Sequence, residues 1–409
     1  MIQSDVCIIG AGPAGSICAL FLDKFGIPCT LVDKSKFPRD KICGDGISGW
    51  VLTILKELDP PILEDLCKQP FLLPSYGIRI VAPNYNILDL PFFNDQINEI
   101  PPGFISKRID FDNYLINKVK EKRQIQLLEG VEIASYVKAD EGIELRATNG
   151  EMINSRLVIF ANGANSKFMK DPGQINKDKK FLMTGLKVYY EGITGFHDKN
   201  YVELHFLKDF LPGYLWIFPL TNGLANVGVG LDQKKISKKK INLKERMLWA
   251  IDSIPYLKDR FKNARMVSKI QAYNLPLWDG RRKISGDHFM LAGDTASLID
   301  PVTGEGMGHA AISGMYAAVQ ARRSIENKDF SSGFMQQYDN DIFNRIGKEL
   351  KISSKIPQFI KYPWLFNLMV NRALNSKILR EKLTLAMTDL EVRKKLNDPK
   401  LYLKVMIGL

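Results

Sequence analysis

The chain has 409 residues, 45% of them hydrophobic, a net charge of +12, five cysteines and four histidines. Its length allows two or three joined domains. No run of about 18 apolar residues could cross a membrane, and a strand within the first few residues leaves no place for a signal peptide. Cys7, Cys18, Cys29, Cys43 and Cys67 have neither metal-ligand spacing nor a disulfide framework. They read as reduced thiols in a cytoplasmic protein, and no metal site is expected.

Residues 4–24 set the frame. Val6-Cys7-Ile8-Ile9 is a short apolar strand, Gly10-Ala11-Gly12-Pro13-Ala14-Gly15 a turn, and 16–24 a helix. Gly10, Gly12 and Gly15 fit G-x-G-x-x-G. The first permits the tight turn, the second lets a pyrophosphate approach the backbone, and the third lets the helix lie on the strand. The helix start offers amides and a positive dipole end to phosphates. A second strand over 29–32 ends at Asp33, placed to accept a ribose hydrogen bond. A glycine turn in some other α/β unit would leave Asp33 unexplained.

Residues 36–49 form a loop, punctuated by Pro38 and several glycines. Within it, Cys43-Gly44-Asp45-Gly46 is either a plain loop or backbone pressed against something flat or large. A helix follows over 50–58. Residues 78–103 read as short strands and turns, and 113–122 as a helix capped by Asp110 or Asp112. Residues 126–128, 132–137 and 143–148 alternate as an antiparallel ribbon. Residues 157–161 are continuously apolar, as in a buried parallel strand, and end at Asn162-Gly163. From Phe181 to Leu231 the pattern changes to antiparallel strands at 185–190, 201–206, 214–219 and 225–229, the mark of a second domain. A helix at 242–254 follows. An apolar strand at 288–292 leads to Gly293-Asp294, Pro301 and Gly304-Glu305-Gly306-Met307-Gly308, then a long helix at 310–325. The remainder is helical by periodicity, with breaks at Pro357, Pro363 and Pro399.

Residues 344–409 carry 14 Lys/Arg against 5 Asp/Glu, and a second basic run spans 234–244. These are either solvated surface or contacts for an anionic partner, such as membrane headgroups or a diphosphate substrate. Nucleic acid ranks last, since no nucleic-acid signature accompanies the charge. Residues 356–374, with Trp364, Leu365, Phe366, Leu368, Met369 and Val370, are apolar and flanked by basic residues. Such a stretch packs on its own domain or rests on a bilayer.

Three distant stretches act together: 10–15, Arg108 with Asp112 and Leu115, and Gly293-Asp294 with Pro301 and 304–308. Their combination resembles FAD-dependent oxidoreductases of the para-hydroxybenzoate hydroxylase fold over most of residues 1–330. Lys41-Ile42-Cys43-Gly44-Asp45-Gly46 and Leu211-Pro212-Gly213-Tyr214-Leu215-Trp216-Ile217-Phe218-Pro219 are similar to stretches of the geranylgeranyl reductase family. The second is similar to that family's Pro-x-x-Tyr-x-Trp-x-Phe-Pro.

The resemblance implies an α/β FAD-binding Rossmann-like domain (1–75, 106–175 and 283–330) and an inserted antiparallel-sheet substrate domain (76–105 and 176–282). A helical C-terminal region (331–409) completes the chain. Gly10, Gly12, Pro13, Ala14 and Gly15 would hold the FAD pyrophosphate, Asp33 with Lys34 the adenosine ribose, Arg108 the pyrophosphate or ribityl region, and Asp294 the ribityl chain. Gly163 and Pro301 would also touch the cofactor. Cys43, Gly44 and the backbone of Gly304, Gly306, Met307 and Gly308 would meet the flavin ring, where a helix dipole favours the charge of the reduced form. Asn162-Gly163 stands where many relatives have Asp-Gly, and no second dinucleotide unit exists. The implied reductant is therefore NADPH or a protein electron donor.

Tyr214, Trp216 and Phe218 share one face of a strand. Alone this reads equally as sheet core; the resemblance makes it the wall of an apolar prenyl cavity. The implied reaction is saturation of carbon–carbon double bonds in an isoprenoid chain on a lipid, diphosphate or quinone, by hydride from reduced flavin. The faces of Tyr214 and Trp216 would stabilise developing positive charge. Cys43 would be proton donor, shape element or redox-sensitive thiol. The rival is a flavin-dependent monooxygenase or halogenase on an aromatic or polyene substrate. The halogenase Gly-Trp-x-Trp-x-Ile-Pro differs from 213–219 at its first Trp and its Ile. A flavin-bound carrier is the non-enzymatic alternative.

Overall fold

The strand Ile2–Ile9 is apolar on both faces over its last four residues, so it must lie inside a covered sheet. In the computed structural model, which describes residues 1–92, 100–170 and 181–388, it does. It pairs in parallel with Met152–Phe160 on one side (Ile8 opposite Ile159) and Cys29–Asp33 on the other (Ile8 opposite Leu31). Phe289–Leu291 and Ile125–Glu129 extend the parallel set, Ser285–Gly286 adds an antiparallel edge, and the ribbon Ile133–Ala139/Gly142–Ala147 hangs from Met152–Phe160.

The helix Pro13–Lys24 packs on this sheet, and the helix Met307–Asn327 packs on it in turn. The two can approach because residue 314 is glycine: a Cβ there would lie 2.2 Å from the Ala14 carbonyl oxygen. Leu20 and Leu22 are buried between these layers, each contributing about 1.5–3 kcal/mol.

A second sheet runs in the order Arg265–Met266, Leu182–Glu191, Leu224–Asp232, Tyr214–Pro219, Val202–His205, Gly77–Val81, Ile87–Pro91, with Gln271–Pro276 also paired to Leu182–Glu191. It departs from the expected antiparallel pattern at one pairing, Val202–His205 with Gly77–Val81, which is parallel. No hairpin joins those strands, so nothing forces them to oppose. Leu215, Ile217, Val227 and Val229 turn into a core closed by the helices Leu243–Ser253 and Pro255–Phe261. The opposite face, with Tyr214, Trp216 and Phe218, turns toward the loops that carry Gly44 and Gly304.

Several helices differ from expectation. One begins at Arg108 rather than 113, and neither Asp110 nor Asp112 caps it. Asp112 is engaged instead by Arg108, one turn earlier. The basic run 234–244 overlaps a short helix, Gln233–Lys239, whose Lys235 amide donates to Asp232. Pro60–Cys67 and Pro255–Phe261 are helices that the periodicity missed. Pro357 and Pro363 begin the helices Pro357–Ile360 and Pro363–Asn375 rather than merely interrupting one, since a helix start needs no amide from its first residue. Pro399 and the basic residues beyond 388 lie outside the described residues.

Candidate active site

The turn after the first strand has one solution for each glycine. Gly10 has φ +103°, and a Cβ there would sit 2.5 Å from the Ala161 carbonyl oxygen. At Gly15 a Cβ would meet the Gly10 oxygen at 1.8 Å, so helix and turn are in direct contact. Gly12 is different: an added Cβ would meet only Arg39 Nη2, at 3.7 Å, because this side of the turn opens into a cavity. Asp33 does more than the sequence implied. Its Oδ2 accepts from the Ala11 amide and its Oδ1 from the Ser35 amide, both at 2.8 Å, so it braces the turn as well as lining the cavity.

The cavity has a volume of about 890 Å3 and runs from this turn to the second sheet. Gly10, Gly12, Pro13, Ala14, Asp33, Lys34, Cys43, Gly44, Arg108, Gly163, Asp294, Gly304, Gly306 and Met307 line it, as do Tyr214 and Trp216. Gly15, Pro301 and Gly308 do not border it. Gly15 sits beneath the turn, Pro301 in the loop that Asp300 braces through the Val302 and Thr303 amides, and Gly308 under Trp50.

Cations are concentrated along the trough. Arg108 is buried and bidentate to Asp112, at 2.7 Å to each oxygen, and Arg39 reaches the same carboxylate. Burial opposes the Arg108 charge, yet Asp112 and the neighbouring Cys43 hold the guanidinium protonated more firmly than usual. Lys41 pairs with Asp294 at 3.0 Å.

At the far end, not every expected amide is available. Gly304 donates to the Asp300 carbonyl and Gly308 to Glu305 Oε1, so the helix start presents Gly306 and Met307 instead. The Gly163 amide donates to Thr295 Oγ1. Asn162 Oδ1, also at the cavity, is buried without a partner.

Past this point the lining becomes apolar: Ile78, Phe92, Val202, Leu204, Met183 and Leu275. Tyr214, Trp216 and Phe218 form one wall. The indole lies over a floor of two glycines; a Cβ at Gly228 would be 2.1 Å from Trp216 Cζ2, and one at Gly185 would be 3.8 Å from Cη2. Tyr214 donates its hydroxyl to the Thr303 carbonyl, tying this wall to the Gly304 turn. Tyr214 also packs on Phe206, and Phe206 on Phe366 of the helix Pro363–Asn375.

A glycine cradle open at Gly12, buried cations and unused amides on one side, joined to an apolar chamber on the other, fit FAD with its ring between them. Four polar residues at this junction escaped the sequence reading: Asp45, Lys187, Tyr189 and Asn226. The available signal was Lys187, a lone charge in an apolar strand.

Comparison with known proteins agrees. A family model for the FAD binding domain matches residues 3–58, and one for the geranylgeranyl reductase catalytic domain matches residues 183–271. A digeranylgeranylglycerophospholipid reductase 2 of Methanosphaera stadtmanae is 27% identical over 88% of this chain and 88% of its own. A geranylgeranyl bacteriochlorophyll reductase-like structure from Thermoplasma acidophilum superposes with a TM-score of 0.81 at 24% identity, covering 97% of this chain and 99% of that one. The flavin-dependent brominase Bmp2 superposes with a TM-score of 0.74 at 22% identity over 92% of each chain, which is a likeness of fold.

Proposed function

We propose that this chain, a geranylgeranyl reductase-like FAD-dependent oxidoreductase, saturates the carbon–carbon double bonds of geranylgeranyl chains on a glycerophospholipid-type substrate. The observation that carries the reading is the continuity of the dinucleotide trough with the apolar, aromatic-walled chamber. The flavin, when bound, supplies hydride to one alkene carbon. The protein's own residues do the rest. Gly12 and the first-turn amides of Pro13–Lys24 would hold the pyrophosphate, and Arg39 and Lys41 line the same trough. Arg108 and Cys43, which line the cavity, would lie beside the bound cofactor, and the amides of Gly306 and Met307 would favour negative charge on its ring. Tyr214, Trp216 and Phe218 align the prenyl chain and exclude water, and the faces of Tyr214 and Trp216 stabilise positive charge at the more substituted carbon.

Product mass tests this. Incubated anaerobically with reductant and digeranylgeranylglyceryl phospholipid, the protein should add pairs of hydrogens to the lipid. Geranylgeranyl diphosphate and a prenyl quinone serve as the competing head groups. No anaerobic change, with an oxygen atom or halogen gained in air, would assign it to the rival class.

The substrate's long chains call for a lipid surface. Among the described residues, no helix is long and apolar enough to cross a membrane. The helix Pro363–Asn375, however, buries Phe366 and Val370 against the second sheet while Tyr362, Trp364 and Leu374 face outward, Trp364 being 63% exposed. Ile378 is 65% exposed beside it, and Lys355, Lys361, Arg372, Lys377 and Arg380 are exposed around the patch. The inner face of that helix packs on Phe206, which packs on Tyr214, so the patch lies at the far end of the aromatic wall. An anionic bilayer complements both its apolar and its basic parts. Replacing Trp364 and Ile378 together with Ser should weaken binding to phosphatidylglycerol vesicles about tenfold, equivalent to ~1.4 kcal/mol, with flavin content unchanged. Equal co-sedimentation of variant and parent would remove the membrane contact.

A further inference from the structure

Where the second sheet meets the loop carrying Cys43, the chain buries a row of polar groups that neither cofactor binding nor packing explains. Lys187 is 1% exposed and Asp45 0%. Lys187 Nζ donates to the Tyr189 hydroxyl at 2.7 Å, and that hydroxyl donates to Asp45 Oδ2 at 2.7 Å. Asn226 Nδ2 donates to the same oxygen at 2.7 Å and to the Cys43 carbonyl at 2.8 Å, while Asn226 Oδ1 accepts from Trp216 Nε1 at 2.9 Å. The row reaches the surface at its other end, where Lys187 Nζ lies 3.6 Å from Asp40, whose side chain is 38% exposed. Asp45 Oδ1 is buried without a partner, and Asp45 borders the cavity. Gly44 and Gly46, on either side of it, face Phe218.

A buried lysine and carboxylate are costly, and apolar residues would pack this sheet junction as well. The arrangement has a direction: each hydrogen bond from Lys187 to Tyr189 to Asp45 donates toward the cavity. The geometry points to Asp45 as the acid that supplies the proton for alkene saturation, recharged from solvent through Tyr189, Lys187 and Asp40. This rests on the reductase reading above, because each double bond saturated takes up one proton beside its hydride. The Asp45 Oδ1–H bond breaks and a C–H bond forms at one alkene carbon; the other carbon takes the hydride supplied by the reduced cofactor, and the π bond is spent. The carboxylate left behind takes the Tyr189 proton on Oδ2 as the Lys187 ammonium reprotonates the phenol, water at Asp40 restores Lys187, and rotation of the carboxyl returns its O–H to the cavity side.

The surroundings suit a proton held until it is needed. Burial pushes the Asp45 carboxyl up to about 6, while Lys187, Tyr189, Asn226 and Arg108 pull the other way. Lys107 lies over the Tyr189 ring, and Asp40 and Cys43 are the other charged or ionisable groups near that phenol. An acid close to the working pH combines readiness to donate with ease of reloading.

Asp45→Asn is the decisive variant. Asp45 has φ +69°, a conformation asparagine also accepts, and the amide oxygen can keep the bonds from Tyr189 and Asn226. Infrared difference spectra of the flavin-loaded protein, titrated through the acidic to neutral range, should show a buried carboxyl losing its proton near pH 6 in the parent that Asp45→Asn lacks. Asp339, which burial raises to about 6, and Glu305, which burial also raises, should titrate alike in parent and variant. In anaerobic single turnover with a prenyl substrate, reoxidation of reduced flavin should slow about 10²–10⁴-fold in Asp45→Asn. Tyr189→Phe should slow steady turnover more than the first. A parent that reduces prenyl chains while Asp45→Asn keeps pace overturns the acid alone, as does loss of the first turnover in Cys43→Ala with Asp45→Asn unaffected. A parent whose flavin no prenyl substrate reoxidises overturns the reductase reading and the acid's role with it.

Discussion

Asp112→Leu should destabilise the protein by about 3–5 kcal/mol and empty it of flavin, because it strands a buried guanidinium. Arg108 is 1% exposed, and Asp112 is the carboxylate that meets it, through two bonds of 2.7 Å. Removing the acid leaves the charge in place, since arginine does not neutralise by losing its proton. Arg39, at 18% exposure, can turn to water and should add little. The double variant Arg108→Met/Asp112→Leu removes both charges and should recover most of the lost stability but not the flavin. Urea midpoints with flavin absorbance separate the two effects, and a single variant costing under ~1 kcal/mol would show that the pair is not the strut described. The pH dependence has a definite sign. Burial raises the Asp112 carboxyl, but Arg108, by charge and hydrogen bonds, and Arg39 outweigh it and hold it below its ordinary 3.8. Its contribution is therefore complete above 3.8 and disappears as the pH falls through the lowered value, so the parent and Asp112→Leu should converge in acid.

Steric necessity made much of this molecule readable. A continuous apolar run such as Leu157-Val158-Ile159-Phe160 has one stable place, between layers, and Gly10 and Gly15 are each required by an atom that a Cβ would strike. Tyr214, Trp216 and Phe218 were assigned to one face by the strand period alone, and their neighbours Leu215 and Ile217 do enter the opposite core. Pairings between distant segments were hidden. Asp112 looks like a helix cap until Arg108 is seen to start the same helix. The Gly304 and Gly308 amides look free until Asp300 and Glu305 take them. Asp45 meets Tyr189 and Asn226 from 144 and 181 residues away, a distance over which no periodicity operates. Gly228 carries no motif of its own, yet it is the floor under an indole.

That floor makes Trp216 the sharpest test of the chemistry. Trp216→Leu should lower turnover about 30-fold with flavin still bound, on the argument that an aromatic face in a desolvated site is worth ~2 kcal/mol to a neighbouring cation. Lost packing is a competing cause, and so is the lost bond from the indole N–H to Asn226, which steadies the loop around Cys43. Trp216→Phe separates them: it keeps a π face over Gly185 and Gly228 but, like leucine, cannot donate to Asn226. If charge stabilisation dominates, phenylalanine should retain most of the activity that leucine loses, chiefly in kcat, because the positive charge exists only as the bond is being saturated. If the Asn226 contact dominates, the two variants should be equally impaired. If the ring only shapes the chamber, KM should rise while kcat holds, and Tyr214 and Trp216 would be walls without a part in the reaction.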